Sequence, residues 1–275
     1  MTACVQVHDW ILDQVRFADR RLTSHDLRRD FRAFCHLDVD IFHRTLMELV
    51  TSGVLKYSYV HGCSFLEISH DHPVKISEHV WIQPPQNRLD QSVDDSRVAI
   101  TISSGSAFGL GDHPTTCLSM VLLDNLLFRR PTKEIPSAGI GLDIGTGTGI
   151  LGIAMAFMGM GRVIAVDTDP CAVFEAKQNA ALNRMENRMD IRHGVADDSF
   201  GPCSLITANL RLPTLLNLQE RISRILTPEG FLILSGIKSS EKEMLQSFYA
   251  RSGFAFKTSE TRKGWTAILL QKCFS

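Results

Sequence analysis

The chain has 275 residues, of which 44% are hydrophobic, and its formal net charge is −1. This length and composition predict a globular protein with one large domain or two smaller ones. The near-neutral charge argues against a general electrostatic attraction to nucleic acid or to an anionic membrane surface. The longest apolar run, GILGIAMAFMGMG, is too short and too rich in glycine to span a bilayer, and no signal-peptide pattern opens the chain.

The cysteines indicate a reducing compartment. Seven of them are scattered along the chain without a CxxC pair, which predicts reduced thiols in a cytoplasmic protein and no disulfide framework. We expect no metal site either. His70 and His72 form an HxH pattern without a third ligand at a suitable spacing, which is more typical of surface imidazoles.

Residues 1–72 predict a small winged-helix-like domain. Three stretches carry apolar residues at helical spacing, with Ser24 as the expected N-cap of the second helix and Gly53 as the stop after the third. Two short strands, VLKYSYV and CSFLEIS, then flank a tight turn at His61 and Gly62. This order of elements is that of a winged helix-turn-helix domain.

The charges of this half favour a protein partner over a nucleic acid. Residues 1–72 hold eight Lys and Arg against ten Asp and Glu, a net charge of −2. The third helix, which would enter a nucleic-acid groove, has Arg44 as its one firm positive charge. Because phosphate contacts supply most non-specific affinity, a nucleic-acid binder usually presents a basic face. We therefore expect protein docking or substrate presentation, and keep nucleic-acid binding as the alternative.

Residues 73–104 predict a connector with short strands, interrupted at Pro84 and Pro85. The third segment, 105–275, predicts an α/β domain in which strands alternate with helical runs from Ile140 onward. Seven candidate strands indicate a doubly wound sheet with helices on both faces. Only TRKG separates the last two strands, so the final strand is expected to be antiparallel.

A glycine-rich turn follows the first strand of this domain, in the stretch GLDIGTGTGILG. Gly145, Gly147 and Gly149 would let the backbone approach a ligand at the carboxyl edge of the sheet. The next strand ends in Asp167, twenty-two residues after Gly145, where a carboxylate can accept both hydroxyls of a ribose. The simpler alternative is that these glycines serve only a tight turn between strand and helix.

The same turn excludes two nucleotide classes. A dinucleotide fingerprint needs glycine or alanine at position 150, which is Ile150, and no GxxxxGK[ST] phosphate loop occurs. The GxGxG turn, with Asp143 before it and Asp167 closing the next strand, suits S-adenosylmethionine, which has a ribose and an amino-acid tail but no pyrophosphate. We therefore expect this methyl donor as the cofactor.

Several motifs together resemble the PrmA family, bacterial methyltransferases that modify a large-subunit ribosomal protein on amino groups. They are GSAFGLGDHPTT, LDIGTGTGILGIAMAFMGMGRVIAVDTDPCAVFEAKQNAALN, ITANL and GFLILSGI, and VWIQPPQ resembles the strand that leads into the family's catalytic domain. The resemblance covers residues 74–272. It implies a class I methyltransferase fold, S-adenosylmethionine as cofactor and methylation of a protein amino group.

The resemblance also implies site residues. The family's cofactor contacts fall on Thr116, Gly145, Asp167 and Asn209. Further contacts are expected from Gly147, Gly149 and Asp143, with Asp143 near the methionine ammonium group. Asp197 is either an acceptor for the adenine amino group or a solvated loop acid. His113 is expected to line the acceptor channel or to cap the helix behind it, and Asn209 to orient the amine.

Two departures from the family limit what the resemblance implies. Leu110 stands where the family usually has threonine, and the winged-helix-like half replaces a ferredoxin-type domain that grips the ribosomal protein. The resemblance therefore supports S-adenosylmethionine as the methyl donor of this chain more strongly than it supports a ribosomal protein as the substrate. The alternatives are an RNA methyltransferase that uses residues 1–72 for substrate binding, and a catalytically idle adaptor. Cys203 precedes its strand, unlike the nucleophile of cytosine methyltransferases, and is expected to be a buried small residue.

Overall fold

The computed structural model describes residues 3–18, 20–34, 38–69, 71–89, 97–103, 105, 107–109, 111, 113–128 and 139–273. His70 and Leu110 lie outside these ranges, so their predicted roles stay predictions. The chain divides into two compact units, Met1–Val74 and Lys75–Ser275. Within the described ranges, we find no helix with the length and apolar character needed to cross a membrane.

The first unit contains three helices followed by a hairpin, as predicted. The helices are α1 (Ala3–Arg16), α2 (Ser24–Phe34) and α3 (Val39–Thr51), and the strands are β1 (Leu55–Val60) and β2 (Cys63–Ile68). The two strands pair antiparallel, and Leu22 adds an isolated bridge to Leu66. Leu27, Phe31 and Phe42 are fully buried in the core of this unit. Its assignment as a winged helix remains a prediction.

The start of α2 corrects one expectation. Thr23 caps this helix, because its Oγ1 accepts from Asp26 N at 3.1 Å while its own N–H donates to Asp26 Oδ2 at 3.1 Å. Ser24 is the first helical residue, so its prediction as the N-cap was wrong. These two reciprocal hydrogen bonds require an acidic residue three positions after the cap, and Asp26 lies three positions after Thr23. Gly53, with φ of 77°, follows the last turn of α3 as expected.

The second unit is built on the predicted seven-stranded sheet. Its strands are β6 (Ile140–Ile144), β7 (Arg162–Asp167), β8 (Met189–His193), β9 (Cys203–Asn209), β10 (Leu226–Lys238), β11 (Phe254–Arg262) and β12 (Trp265–Lys272). Their order is β11-β12-β10-β9-β6-β7-β8, and β12 is antiparallel to both of its neighbours. The α/β fold and the antiparallel last strand are therefore confirmed. A smaller sheet has the order β3 (Val74–Lys75), β4 (Val80–Gln83) and β5 (Val98–Thr101).

Helices pack against the sheet of this unit, and all of them except the first connect its parallel strands. They are α4 (Pro114–Leu127), α5 (Ile150–Phe157), α6 (Pro170–Leu182), α7 (Leu212–Ile225) and α8 (Lys242–Ala250). The central strands are buried, which is why they read as nearly continuous apolar runs such as LITA in β9. The order of the strands reverses between β6 and β9, and the crevice at such a switch point is the usual ligand site of doubly wound sheets.

Candidate functional site

A cavity of about 580 Å³ opens at the carboxyl ends of the strands, and β6, β7 and β9 all contribute residues to it. Five of the predicted site residues line this cavity, namely His113, Gly145, Gly147, Asp167 and Asn209. Thr116, Asp143, Gly149 and Asp197 do not line it. Its size lies within the range of about 300–1,000 Å³ that is typical of small-molecule sites.

The glycine turn forms the floor of the cavity. Gly145 and Gly147 have φ values of 71° and 56°, a left-handed conformation that favours glycine. A side chain on Gly147 would place its Cβ 2.2 Å from the carbonyl oxygen of Phe108. The glycines therefore allow both the sharp turn and the close approach of the segment that contains Phe108.

Asp167 joins the end of β7 to the glycine turn. Its Oδ2 accepts from Gly147 N at 2.9 Å, and its Oδ1 accepts from Asp169 N at 3.0 Å. A carboxylate has about four lone-pair sites, so these two bonds leave capacity for further donors. Since Asp167 also lines the cavity, it is suited to accept from the hydroxyls of a bound sugar.

Asp143 is buried beneath the turn instead of facing the cavity. Its carboxylate accepts from Thr146 Oγ1 at 2.7 Å, from Thr207 Oγ1 at 2.7 Å and from Gly152 N at 3.2 Å. Burial raises the pKa of Asp143, and the three donors oppose this shift. The arrangement makes Asp143 a brace that ties the glycine turn to β9 and α5.

Gly149 and Asp197 also have local structural roles. Gly149 is the N-cap of α5 with φ of 86°, and a Cβ there would lie 3.2 Å from Ala176 Cα, so this glycine permits close packing against α6. Asp197 caps a short 3-10 turn by accepting from Ser199, and these hydrogen bonds lower its pKa. The two residues before Asp197, Val195 and Ala196, line the cavity in its place.

His113 caps α4, as one of its two predicted roles requires, and it also lines the cavity, whereas a place in the acceptor channel stays a prediction. Its Nδ1 accepts from Thr115 N at 3.3 Å and lies 2.8 Å from Thr115 Oγ1. Its ring packs edge-on against Trp265 at 4.9 Å and Phe108 at 5.1 Å between centroids. These three rings form one wall of the cavity.

Asn209 is the last residue of β9 and lines the cavity, and its side chain is hydrogen-bonded to Thr116. Asn209 Nδ2 donates to Thr116 Oγ1 at 3.4 Å, and Thr116 is fully buried. Ser235, which is paired with Asn209 across β9 and β10, donates from Oγ to Thr115 O at 3.1 Å. The start of α4 thus contacts the Asn209 amide through Thr116 and is bonded to β10 through Ser235.

Sequence reasoning missed several lining residues, among them Phe108, Arg211 and Trp265. A signal for Trp265 was available. Because β12 runs antiparallel to β10, its first residue lies opposite Lys238, at the end of β10 next to the carboxyl edge. Phe108 lies within the motif GSAFGLGDHPTT that carries the family resemblance, whereas Arg211, the N-cap of α7, has no comparable local signal.

Burial makes the Cys203 thiol a poor nucleophile, and the described residues form no group that could hold a metal ion. Cys203 is buried as predicted, and burial raises the pKa of its thiol to about 12. Five cysteines are free thiols, namely Cys63, Cys117, Cys171, Cys203 and Cys273. Within the described ranges, no group of three or more His, Cys, Asp or Glu side chains is arranged to hold a metal ion.

Comparison with known proteins places the second unit in a family. A family model described as ribosomal protein L11 methyltransferase (PrmA) matches residues 67–273. The ribosomal protein L11 methyltransferase of Methylococcus capsulatus is 33% identical over 204 residues, which is 73% of this chain and 64% of that relative. The one from Geobacillus kaustophilus is 32% identical over 204 residues, which is 74% and 62% of the two chains.

A solved structure agrees with these matches. The crystal structure of the ribosomal protein L11 methylase from Lactobacillus delbrueckii subsp. bulgaricus aligns with a TM-score of 0.62 at 29% identity, covering 74% of this chain and 100% of that one. This chain spans less than two thirds of the length of the two relatives described above. Because the family match covers well over half of its residues, the chain belongs to the ribosomal protein L11 methyltransferase (PrmA) family.

Proposed function

We propose that this chain is an S-adenosylmethionine-dependent methyltransferase that methylates an amino group of a protein. The observation that carries the proposal is the cavity itself, in which the glycine turn, Asp167 and Asn209 meet at the switch point of the sheet. This is where doubly wound sheets bind nucleoside ligands. Family membership supports the same reaction class.

The residues of the cavity fit S-adenosylmethionine. Asp167 supplies a carboxylate for the ribose, and Gly145 and Gly147 line the cavity without side chains of their own. Ile144, Val166 and Ala196 add apolar surface of the kind that receives a purine. When bound, the cofactor supplies a methyl group on a positively charged sulfur.

The chain's own contribution to catalysis would be alignment and desolvation of the acceptor. Asn209 Nδ2 is engaged by Thr116, which leaves Oδ1 to accept from an amine and to orient it. A lysine amine has a reference pKa of about 10.4 and must be neutral to react. The wall of rings that contains Trp265 and the positive charge of Arg211 both disfavour the ammonium form of the lysine.

The acceptor is proposed to be a protein, and a ribosomal protein is the first candidate because the relatives carry that name. Residues 1–66 lie outside the family match, so substrate docking by the first unit is a separate proposal. Three of its arginines pair with acids, namely Arg20 with Asp26 at 2.9 Å, Arg29 with Asp30 at 3.0 Å and Arg21 with Glu67 at 3.7 Å. This favours a protein partner over RNA. A cytoplasmic location belongs to the same proposal.

Transfer from a labelled donor tests the function directly. The full chain is incubated with tritiated methyl donor and a bacterial extract, and the products are treated with protease or with ribonuclease. We expect protease-sensitive label, whereas ribonuclease-sensitive label would contradict the proposed acceptor. Asn209→Ala should lower turnover at least about tenfold while cofactor affinity changes less. Asn217→Ala, an exposed amide on α7, is the matched control and should leave both values unchanged.

A further inference from the structure

A row of polar side chains along α6, which we call the ridge, binds the chain that leads into the cavity wall; it comprises Glu175, Asn179 and the C-cap residue Asn183. Asn183 makes two hydrogen bonds to the backbone of Thr101, at 2.8 Å to its N and 2.7 Å to its O. One turn earlier, Asn179 Oδ1 accepts from Ser103 N at 3.0 Å. One turn earlier again, the Glu175 carboxylate accepts from Ala107 N at 3.1 Å.

The spacing of these contacts has a geometric basis. The ridge residues recur every four positions, a rise of about 6 Å in an α-helix. Thr101 and Ser103 are two residues apart, and two residues of extended chain span about 6.6 Å. The connecting chain therefore matches the helix rise between Asn183 and Asn179, whereas four residues separate Ser103 from Ala107, the partners of Asn179 and Glu175.

The ridge also reaches the glycine turn. Asn179 Nδ2 donates to Thr148 O at 2.9 Å, and Thr148 in turn donates to the segment above it, from N to Phe108 O at 3.0 Å and from Oγ1 to Gly109 O at 2.8 Å. Asn179 is 1% exposed, so its amide is committed to these partners. One side chain thus connects the glycine turn to the chain that enters the cavity wall.

We infer that Glu175 and Asn179 are positioning residues for the cofactor cavity, because Glu175 holds Ala107 directly and Asn179 holds Thr148, which bonds to Phe108. Gly105 makes room for the Glu175 carboxylate in this arrangement. A Cβ on Gly105 would lie 2.2 Å from Glu175 Oε2, so the carboxylate occupies the place of a side chain at that position. Since the carboxylate is the flexible end of Glu175, an alanine at position 105 would displace it.

A double-mutant cycle on the full chain tests this inference. Hydrogen exchange of the apo protein over residues 103–111 should be faster in Glu175→Ala, but close to wild type in Glu175→Gln, whose amide oxygen can still accept from Ala107 N. Gly105→Ala should reproduce the effect of Glu175→Ala and add nothing to it in the double variant. Lys177→Ala, on the exposed face of α6, is the control.

A second readout is affinity for S-adenosylhomocysteine, measured by calorimetry. We expect Glu175→Ala and Gly105→Ala each to weaken binding about fivefold. Asn179→Asp retains the acceptor for Ser103 but loses the donor to Thr148, and should also weaken binding. The affinity measurement rests on the proposed function, whereas hydrogen exchange of the apo protein does not. If the wild-type protein did not bind S-adenosylhomocysteine, the proposed function would be wrong, and the positioning role would still be tested by hydrogen exchange. Unchanged exchange in Glu175→Ala, or an additive effect of Gly105→Ala, would overturn the inference.

Discussion

Gly147 donates its backbone N–H to Asp167 Oδ2 across 2.9 Å, so the glycine turn and the acid of the next strand form one unit before any ligand arrives. The left-handed φ of 56° at Gly147 directs that N–H, and a side chain there would collide with Phe108 O. A hydrogen bond to a charged carboxylate is stronger than one between neutral groups. The acid therefore shapes the turn, in addition to the sugar-binding role proposed for it.

The first prediction concerns this pair. Asp167→Asn should weaken S-adenosylhomocysteine binding at least about tenfold, because it removes a charged acceptor worth about 1.5–3 kcal/mol. Calorimetry measures the change. Asp190→Asn makes the same charge change on β8, where Asp190 pairs with Arg162, and should bind like wild type. Equal affinity of the Asp167 variant would show that the carboxylate does not hold the ligand.

The second prediction concerns the brace beneath the turn. Asp143→Asn presents an amide to three donors, so at least one donor loses its acceptor and stability falls by about 2 kcal/mol. For a unit of this size that corresponds to a Tm lower by roughly 4–8 °C. Thermal unfolding followed by circular dichroism measures it. Asp198→Asn, which removes an exposed pair with Arg224, should change Tm little, and an unshifted Asp143 variant would refute the brace.

The third prediction uses the thiols. Because the pKa of Cys203 is raised to about 12, its thiolate is scarce at pH 8 and the residue should resist iodoacetamide in the native protein. The exposed thiols Cys63, Cys171 and Cys273 should be modified under the same conditions. Peptide mass spectrometry distinguishes the sites. Cys203→Ala should retain methyl transfer, and its inactivity in a correctly folded protein would point to a nucleophilic role.

The fourth prediction concerns the cap of α2. Hydrogen bonds from Arg20 and then from Thr23 lower the pKa of Asp26. An acid with a depressed folded pKa stabilises the fold above its unfolded pKa of about 3.9, and this contribution is lost as the pH falls below that value. Asp26→Ala should therefore cost about 1 kcal/mol of local stability at pH 7 and progressively less below pH 4.

Hydrogen exchange of residues 24–34 in the full chain measures this difference. Asp30→Ala removes a carboxylate of the same helix that bonds only locally to Arg29 among its described contacts, and is the control. The same loss of protection in both variants, or a loss that grows as the pH falls, would refute the capping role of Asp26.

Much of the fold could be predicted because its signals are local. The strands IGLDI and RVIAVD, the glycines between them and Asp167 lie within 28 consecutive residues, and a strand-turn-helix-strand unit builds its ligand edge from that sequence alone. The antiparallel β12 followed from the short TRKG link. The α2 cap was misplaced by one residue because Thr23 and Ser24 are equally good caps until Asp26 selects one of them.

Tertiary structure decided which polar groups reach the cavity. Asp143 and Asp167 both lie at or next to the end of a strand, yet only Asp167 lines the cavity. Asp143 instead accepts a hydrogen bond from Thr207, which lies sixty-four residues later in the sequence. Trp265 lines the cavity only because β12 returns antiparallel to β10. The sequence by itself determined the strands, the glycine turn between two of them and the acid Asp167, because these features depend on backbone conformation and on neighbouring residues. Side-chain roles depended on partners distant in sequence, which only the packed sheet brings within hydrogen-bonding distance.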